Sequence, residues 1–183
     1  MRLLGDVFRE QMVKKSKTAR DRIVKIFIII NAIIIFILYI NFVPFFPFLG
    51  TIIPFVFVML VWGGRQLIIS RNKEFEYAIT NNELDIDVII HKSRRRKAFV
   101  GYIRDFDGFR PYGSSEFEHT FSQAQITHDY SSGLADAPRH EFITNYQNKR
   151  THIIFEPNEE MLALFKPHLK RGTYSFGASE KGV

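Results

Sequence analysis

Two patterns of apolar residues divide the chain. From Ile26 to Gly64 no charged residue occurs, and apolar side chains fall on every face of any helix drawn through the segment. From Glu74 onward apolar and polar positions alternate instead, with the period of a half-buried strand. The uncharged region separates into "IFIIINAIIIFILYINF" (Ile26–Phe42) and "FLGTIIPFVFVMLVWGG" (Phe48–Gly64), joined by "VPFFP". Pro44 and Pro47 do not continue a regular helix and mark a reversal. A single helix through both blocks would be about 58 Å long, against a bilayer core of roughly 30 Å. The pattern therefore predicts a two-helix transmembrane hairpin over residues 25–69, with its turn near 43–47. Val24 and Lys25 on one side and Arg65 to Ile69 on the other extend the two short spans, their basic side chains reaching outward. Tyr39, Trp62, Phe45, Phe46 and Phe48 fall near the expected interfaces. A cleaved signal peptide fits poorly, because the basic lead is long and a second apolar block follows.

In the alternating region, "EFEYAIT" puts Phe75, Tyr77 and Ile79 on one face. "ELDIDVII" turns Leu84, Ile86, Val88 and Ile90 one way and Glu83, Asp85 and Asp87 the other. "TNNE" between them has turn chemistry, Asn tolerating positive φ. "KAFVGYI", Asp105 to Tyr112 with a bend at Asp107-Gly108, "QAQITHDY", "HEFITNYQ" and "RTHIIFE" add strands, the last two around a tight Asn148-Lys149 turn. "SSEFEHTF" and "SSGLADAPR" read as loops. "PNEEMLALFKPHLK" reads as a helix with Asn158 as its N-cap, Glu159 and Glu160 at its positive start, and Met161, Leu162, Leu164 and Phe165 on its apolar face. Pro167 should end or kink it. About seven strands and a last helix predict a mainly β, α+β soluble domain over 74–171, a small curved antiparallel sheet or open barrel plugged by the C-terminal helix. Residues 172–183, "GTYSFGASEKGV", read as a flexible tail.

The first 24 residues read as an amphipathic, basic lead. Leu3, Leu4, Val7, Phe8 and Met12 draw one stripe on a helix, with Arg9, Glu10 and Lys14 on the wet side. Such a stripe suits either the headgroup layer or the surface of the chain's own soluble domain. Asn31, inside the first span, either bonds a partner helix or satisfies itself on the backbone or the second helix.

Charge sets the orientation. The net charge is +6, and the basic residues flank the apolar region while its turn has none. Arg2, Arg9, Lys14, Lys15, Lys17, Arg20, Arg22 and Lys25 precede the first span; Arg65, Arg71 and Lys73 follow the second. The positive-inside rule places both termini in the cytoplasm of a two-span cell-membrane protein. The chain has no cysteine, which removes disulfides, thiolate catalysis and cysteine metal sites.

The densest charge is "HKSRRRK", His91 to Lys97. Lys92, Arg94, Arg95, Arg96 and Lys97 are the candidate lipid or partner contact, read as the turn of a hairpin that either meets anionic headgroups or is simply solvated. No aromatic platform is interleaved with these charges, so nucleic acid is not expected. Glu83, Asp85 and Asp87 lie about 6.6 Å apart along a strand face, too far for one ion without help, and read as a solvated face partly neutralised by Arg or Lys. The six histidines show no metal-ligand spacing, and His128, Asp129 and Ser131 are adjacent in sequence, which does not signal a triad. No phosphate loop, nucleophile elbow or dinucleotide fingerprint occurs. No cofactor, metal or catalytic residue is expected.

The words "VKKSKTARD", "EFEYAITNNELDID", "KSRRRKAF", "DYSSG" and "IIFEPNEEML" resemble a bacterial family that joins an N-terminal two-helix membrane hairpin to a pleckstrin-homology-like domain. The strand pair from Tyr77 to Leu84, the basic turn Lys92 to Lys97, and the closing strand and helix from Ile153 to Phe165 carry the likeness. The resemblance implies fold and topology, not an activity. One departure stands out. Lipid-binding pleckstrin-homology domains commonly hold their basic motif in the first strand-to-strand loop; here that loop reads as the neutral Asn81-Asn82, and the basic run comes one loop later. Phosphoinositide recognition therefore does not carry over. The expected function is a membrane-anchored, non-catalytic binding or scaffolding module of unknown ligand, its expected partners being the lipid bilayer, anionic headgroups or an unidentified protein. The alternatives are a sensor of anionic lipid headgroups through residues 92–97 and an enzyme without a recognised motif.

Overall fold

A computed structural model describes residues 8–17, 19–42, 44–46, 48–69 and 73–176. The chain divides into two units, Lys17–Lys73 and a second made of Met1–Ser16 with Glu74–Val183.

The first unit is two apolar helices, α1 (Ala19–Phe42) and α2 (Leu49–Ile69). They run antiparallel: Phe36 meets Phe57 with ring centroids 6.0 Å apart, and Ile28 lies against Gly64. A Cβ at Gly64 would stand 2.9 Å from Ile28 Cγ2, so the glycine is what lets the helices approach there. Asn31 and Asn41 donate to the carbonyls of Phe27 and Ile37 one turn back, at 2.9 and 2.8 Å. Asn31 is thus satisfied on its own helix. Among the described residues one helix, Asp21–Phe42, is long and apolar enough to cross a membrane.

The second unit packs two four-stranded sheets. The first has the order β1 (Phe8–Lys14), β2 (Lys73–Thr80), β3 (Glu83–Ile90), β4 (Arg94–Tyr102). The second has the order β5 (Asp107–Pro111), β7 (His140–Tyr146), β8 (Lys149–Phe155), β6 (Ile126–Asp129). A short helix α3 (Glu118–Phe121) precedes β6, and α4 (Glu159–Phe165) follows β8. The core between the sheets is aromatic. Phe106 stacks on Phe142 with centroids 3.8 Å apart, and Phe165 of α4 sits against Phe106, Phe109 and Phe155. Asn158 caps α4, its side chain accepting from Met161 N–H at 2.8 Å.

Several expectations change. Residues 8–14 of the lead form a strand and not a helix, paired from Phe8↔Thr80 to Lys14↔Glu74; Leu3, Leu4 and Val7 lie outside the described residues. The inward row of this strand is Arg9, Gln11 and Val13, of which only Val13 is apolar, so no alternation announced it. Its polar members find partners. Arg9 pairs with Glu160 at 3.3 Å, and Gln11 donates to Glu156 O and accepts from Asn158 N–H, both at 2.8 Å. The sheet thus begins at β1, and its first strand-to-strand connection is the helical pair itself, not Asn81-Asn82. The single curved sheet is two sheets, and β6 runs parallel to β8. "EHTF" is a helical turn, and the β7–β8 turn is Gln147-Asn148, both at positive φ. The expected flexible tail is in part docked, with Phe109 bridged to Tyr174; residues 177–183 lie outside the described residues.

Candidate functional site

Lys92, Arg94, Arg95, Arg96 and Lys97 form one run of charge in the sequence, and the strand divides them. His91 and Lys92 have φ of 54° and 56°, and Ser93 N–H donates to Ile90 O at 3.3 Å. Positive φ at both central residues is what a turn matched to strand twist requires. The turn is confined to 91–93, and Arg94–Lys97 open β4. Side chains then alternate between faces. Arg95 Nε donates to Asp87 Oδ2 at 2.7 Å, its other end pairs with Glu76, and Lys97 Nζ reaches Asp85 Oδ2 at 3.3 Å. The hydrogen bond to Asp87 raises the Arg95 pKa, and the charges of Glu76, Asp87 and Glu10 add to it. Asp87 is only 9% exposed, so this part of the acidic row is covered by Arg95 rather than solvated.

Arg94 and Arg96 lie opposite Ile90 and Val88 on the other face. With Lys92 they are exposed, and none of the three forms an ion pair among the described residues. At the foot of this patch Tyr130 is pushed up to about 12, by burial first and then by Tyr146, with Arg96 opposing.

The register gives the patch a location. β1 ends and β2 begins at the Lys14↔Glu74 pair, from which the chain leaves for the helices and to which it returns. β3 runs back to that same end, so the 91–93 turn stands at the end of the sheet where both connections to the helical unit depart. The Arg95 pair with Glu76, near the start of β2, ties the two together.

A second cluster holds the same end. Ser16 N–H donates to Ser132 O at 2.8 Å, Lys15 pairs with Asp129 at 3.4 Å and its Nζ lies 5.6 Å from the Phe75 ring centroid. Asp129 accepts from the Ser131 hydroxyl at 2.6 Å and the Ser131 N–H at 2.8 Å. Burial works against its ionisation, but these bonds and Lys15 outweigh it and lower its pKa. His128 stacks on Tyr130 with centroids 5.7 Å apart, while Ser131 and Asp129 brace the loop between them. Tyr77 OH donates to Tyr130 O at 2.6 Å, and burial raises its pKa.

The third cluster lies on the second sheet. Arg110 Nε donates to Glu141 Oε1 at 2.7 Å with both side chains almost fully buried, and His152 Nε2 is 3.0 Å from Glu141 Oε2. The guanidinium lies 3.7 Å from the Phe121 ring centroid, under α3, and reaches Glu116 O and Glu118. Burial raises the Glu141 pKa, yet the bonds from His152 and Arg110 prevail and leave it lowered. No sequence pattern flagged this cluster; a charged residue inside an otherwise apolar strand, as in "GFRP", was the only available signal. Among the described residues no three His, Asp or Glu side chains are placed to hold a metal ion.

A family model described as "Bacterial PH-like domain (DUF6106)" matches residues 5–175. No curated protein and no solved structure matches the chain.

Proposed function

The chain belongs to the bacterial PH-like domain family, and on that premise we propose that it is a membrane-anchored, non-catalytic binding module. Its cationic contact is the exposed trio Lys92, Arg94 and Arg96, which meets acidic lipid headgroups. The observation that carries this reading is the shared end of the first sheet. The three cations, without an ion pair among the described residues, stand where the chain departs for an apolar helical pair that follows β1 and precedes β2. Basic residues close to an acidic leaflet contribute roughly 1 kcal/mol each. Arg95 and Lys97 drop out of the contact, because their charge is spent on Glu76, Asp87 and Asp85.

The same pairing supports two spans. Lys14 and Glu74 are partners in one sheet, so the chain that leaves after β1 must return to the same side before β2. If α1 crosses a bilayer, α2 brings it back. Lys17, Arg22, Lys25 and Arg65 then favour the cytoplasm for both ends. The non-catalytic part of the reading is supported by three of the perturbed groups: Glu141, Asp129 and Tyr77 are each engaged in bonds within the fold.

The absence of cysteine makes a clean test. A cysteine at Ser93 carries an environment-sensitive dye on the full chain in lipid nanodiscs. The emission should shift to the blue in nanodiscs of mixed phosphatidylcholine and phosphatidylglycerol. The shift should be lost in phosphatidylcholine alone, in about 0.5 M salt, where the Debye length is well below 10 Å, and in Arg94→Glu/Arg96→Glu. A dye at Lys149, at the other end of β8, should not respond. Equal emission in both lipids would remove the lipid reading and leave a protein partner as the occupant.

A further inference from the structure

β5 is an edge strand of the second sheet, and its outer side is covered by the chain's own C-terminal segment. Phe109 N–H donates to Thr173 O at 2.8 Å, and Ser175 N–H donates to Phe109 O at 2.7 Å. This is a one-residue parallel ladder. Tyr174 and Phe176, two residues apart, lie together with ring centroids 5.3 Å apart, and Phe176 lies 5.4 Å from Phe109. Lys166, just past α4, sits 4.7 Å from the Phe176 centroid. A turn in which Thr173 N–H and Oγ1 both donate to Lys170 O, with Gly172 at φ +79°, swings the chain from the end of α4 onto the edge.

This segment differs from the strands beside it. Among the described residues two backbone bonds pair it with Phe109, its rings are half-buried, and it follows Gly172 at positive φ, whereas the Phe109 it covers is completely buried. An uncovered sheet edge with an apolar wall is a template for another strand. Backbone pairing supplies affinity and pockets for alternate side chains supply selectivity. We propose that the groove between β5 and α4 is a peptide-docking site whose resident occupant is Thr173–Phe176. An extended segment of a partner protein, with aromatic side chains two residues apart and a free N–H between them, exchanges with it. This site is separate from the lipid contact and does not depend on it.

The test uses the full chain and a chain ending at Arg171, both in lipid nanodiscs, with a fluorescein-labelled synthetic peptide of residues 170–177. Fluorescence anisotropy should show the peptide binding the shortened chain at least tenfold more tightly than the full chain, where the tail competes. The peptide with Tyr174→Ala and Phe176→Ala should not bind. A shortened chain that melts cooperatively yet ignores the peptide would overturn the proposal, as would equal binding of the two peptides. If the shortened chain does not fold, the full-length Tyr174→Ala/Phe176→Ala variant keeps the segment and weakens its hold. It should bind the unmodified peptide more tightly than the wild-type chain does, and no gain there overturns the proposal as well.

Discussion

Arg110 and Glu141 are a buried ion pair, and such pairs are asymmetric in their energetics. Removing one partner strands the other charge, at about 3–5 kcal/mol, while replacing both with apolar groups of similar size is often nearly neutral. Arg110→Ala is therefore expected to destabilise the domain by about 3–5 kcal/mol, with part of the loss coming from the Phe121 ring that the guanidinium supports. Arg110→Met with Glu141→Leu should recover most of it. Chemical denaturation checks both, and a double variant no better than the single one would show that the pair does more than satisfy itself. His140 and Glu141 also set an acid limit. Burial lowers the His140 pKa, partly offset by its bond to the Pro138 carbonyl, so the unfolded chain takes up that proton first. Stability should fall as the pH drops below about 6.5, the unfolded histidine value. Glu141 and Asp129 have lowered pKa values, so their contribution is present above the unfolded carboxylate range and lost as pH falls through the folded values. Thermal melts from pH 8 to 3 should show two declines. His140→Phe, which keeps a ring against Phe109, should abolish the first and spare the second.

At the scale of elements, β1 is the piece that makes the second unit discontinuous in sequence. Without it β2 would offer an unpaired edge, and Gln11 would no longer hold Glu156 O and Asn158 N–H ahead of α4. Gln11→Ala is expected to cost about 1–3 kcal/mol for two hydrogen bonds. A fragment of residues 74–176 alone should aggregate. By contrast, a chain joining Ser16 to Lys73 through about six Gly and Ser residues, roughly 20 Å when extended, should be a soluble, cooperatively melting monomer. Size-exclusion chromatography and circular dichroism separate the outcomes, and a well-folded 74–176 fragment would show β1 to be dispensable. The contrast explains what was legible beforehand. β2 and β3 declared themselves because Phe75, Tyr77 and Ile79, then Leu84 and Ile86, alternate over a buried face, and Asn81 supplies the positive φ of the turn. β1 was hidden because its inward row is mostly polar and is satisfied by residues about 145 positions away. The basic run was legible as charge. Its division into Arg95 and Lys97, paired across to β2 and β3, and Arg94 and Arg96 on the other face, without an ion pair among the described residues, was not, since that depends on register and on which face each residue takes.

For the molecule as a whole, the Lys14↔Glu74 pair constrains topology more firmly than hydropathy does. A segment that leaves a sheet and returns to the adjacent strand crosses a bilayer an even number of times, so two spans or none are allowed and one is not. Two spans put the turn at Phe45 on the far side from Ser93; a hairpin that only dips in keeps both on one side. Single cysteines at Phe45 and Ser93 in the otherwise cysteine-free chain distinguish these cases in intact bacterial cells, with a membrane-impermeant maleimide. Phe45→Cys should be labelled from outside, after outer-membrane permeabilisation where the host has one. Ser93→Cys should be labelled only when the cytoplasmic membrane is opened as well. Protection of both in intact cells would mean that the helices enter without crossing. Labelling of Ser93→Cys from outside would reverse the orientation, and with it the acidic leaflet that Lys92, Arg94 and Arg96 are proposed to meet.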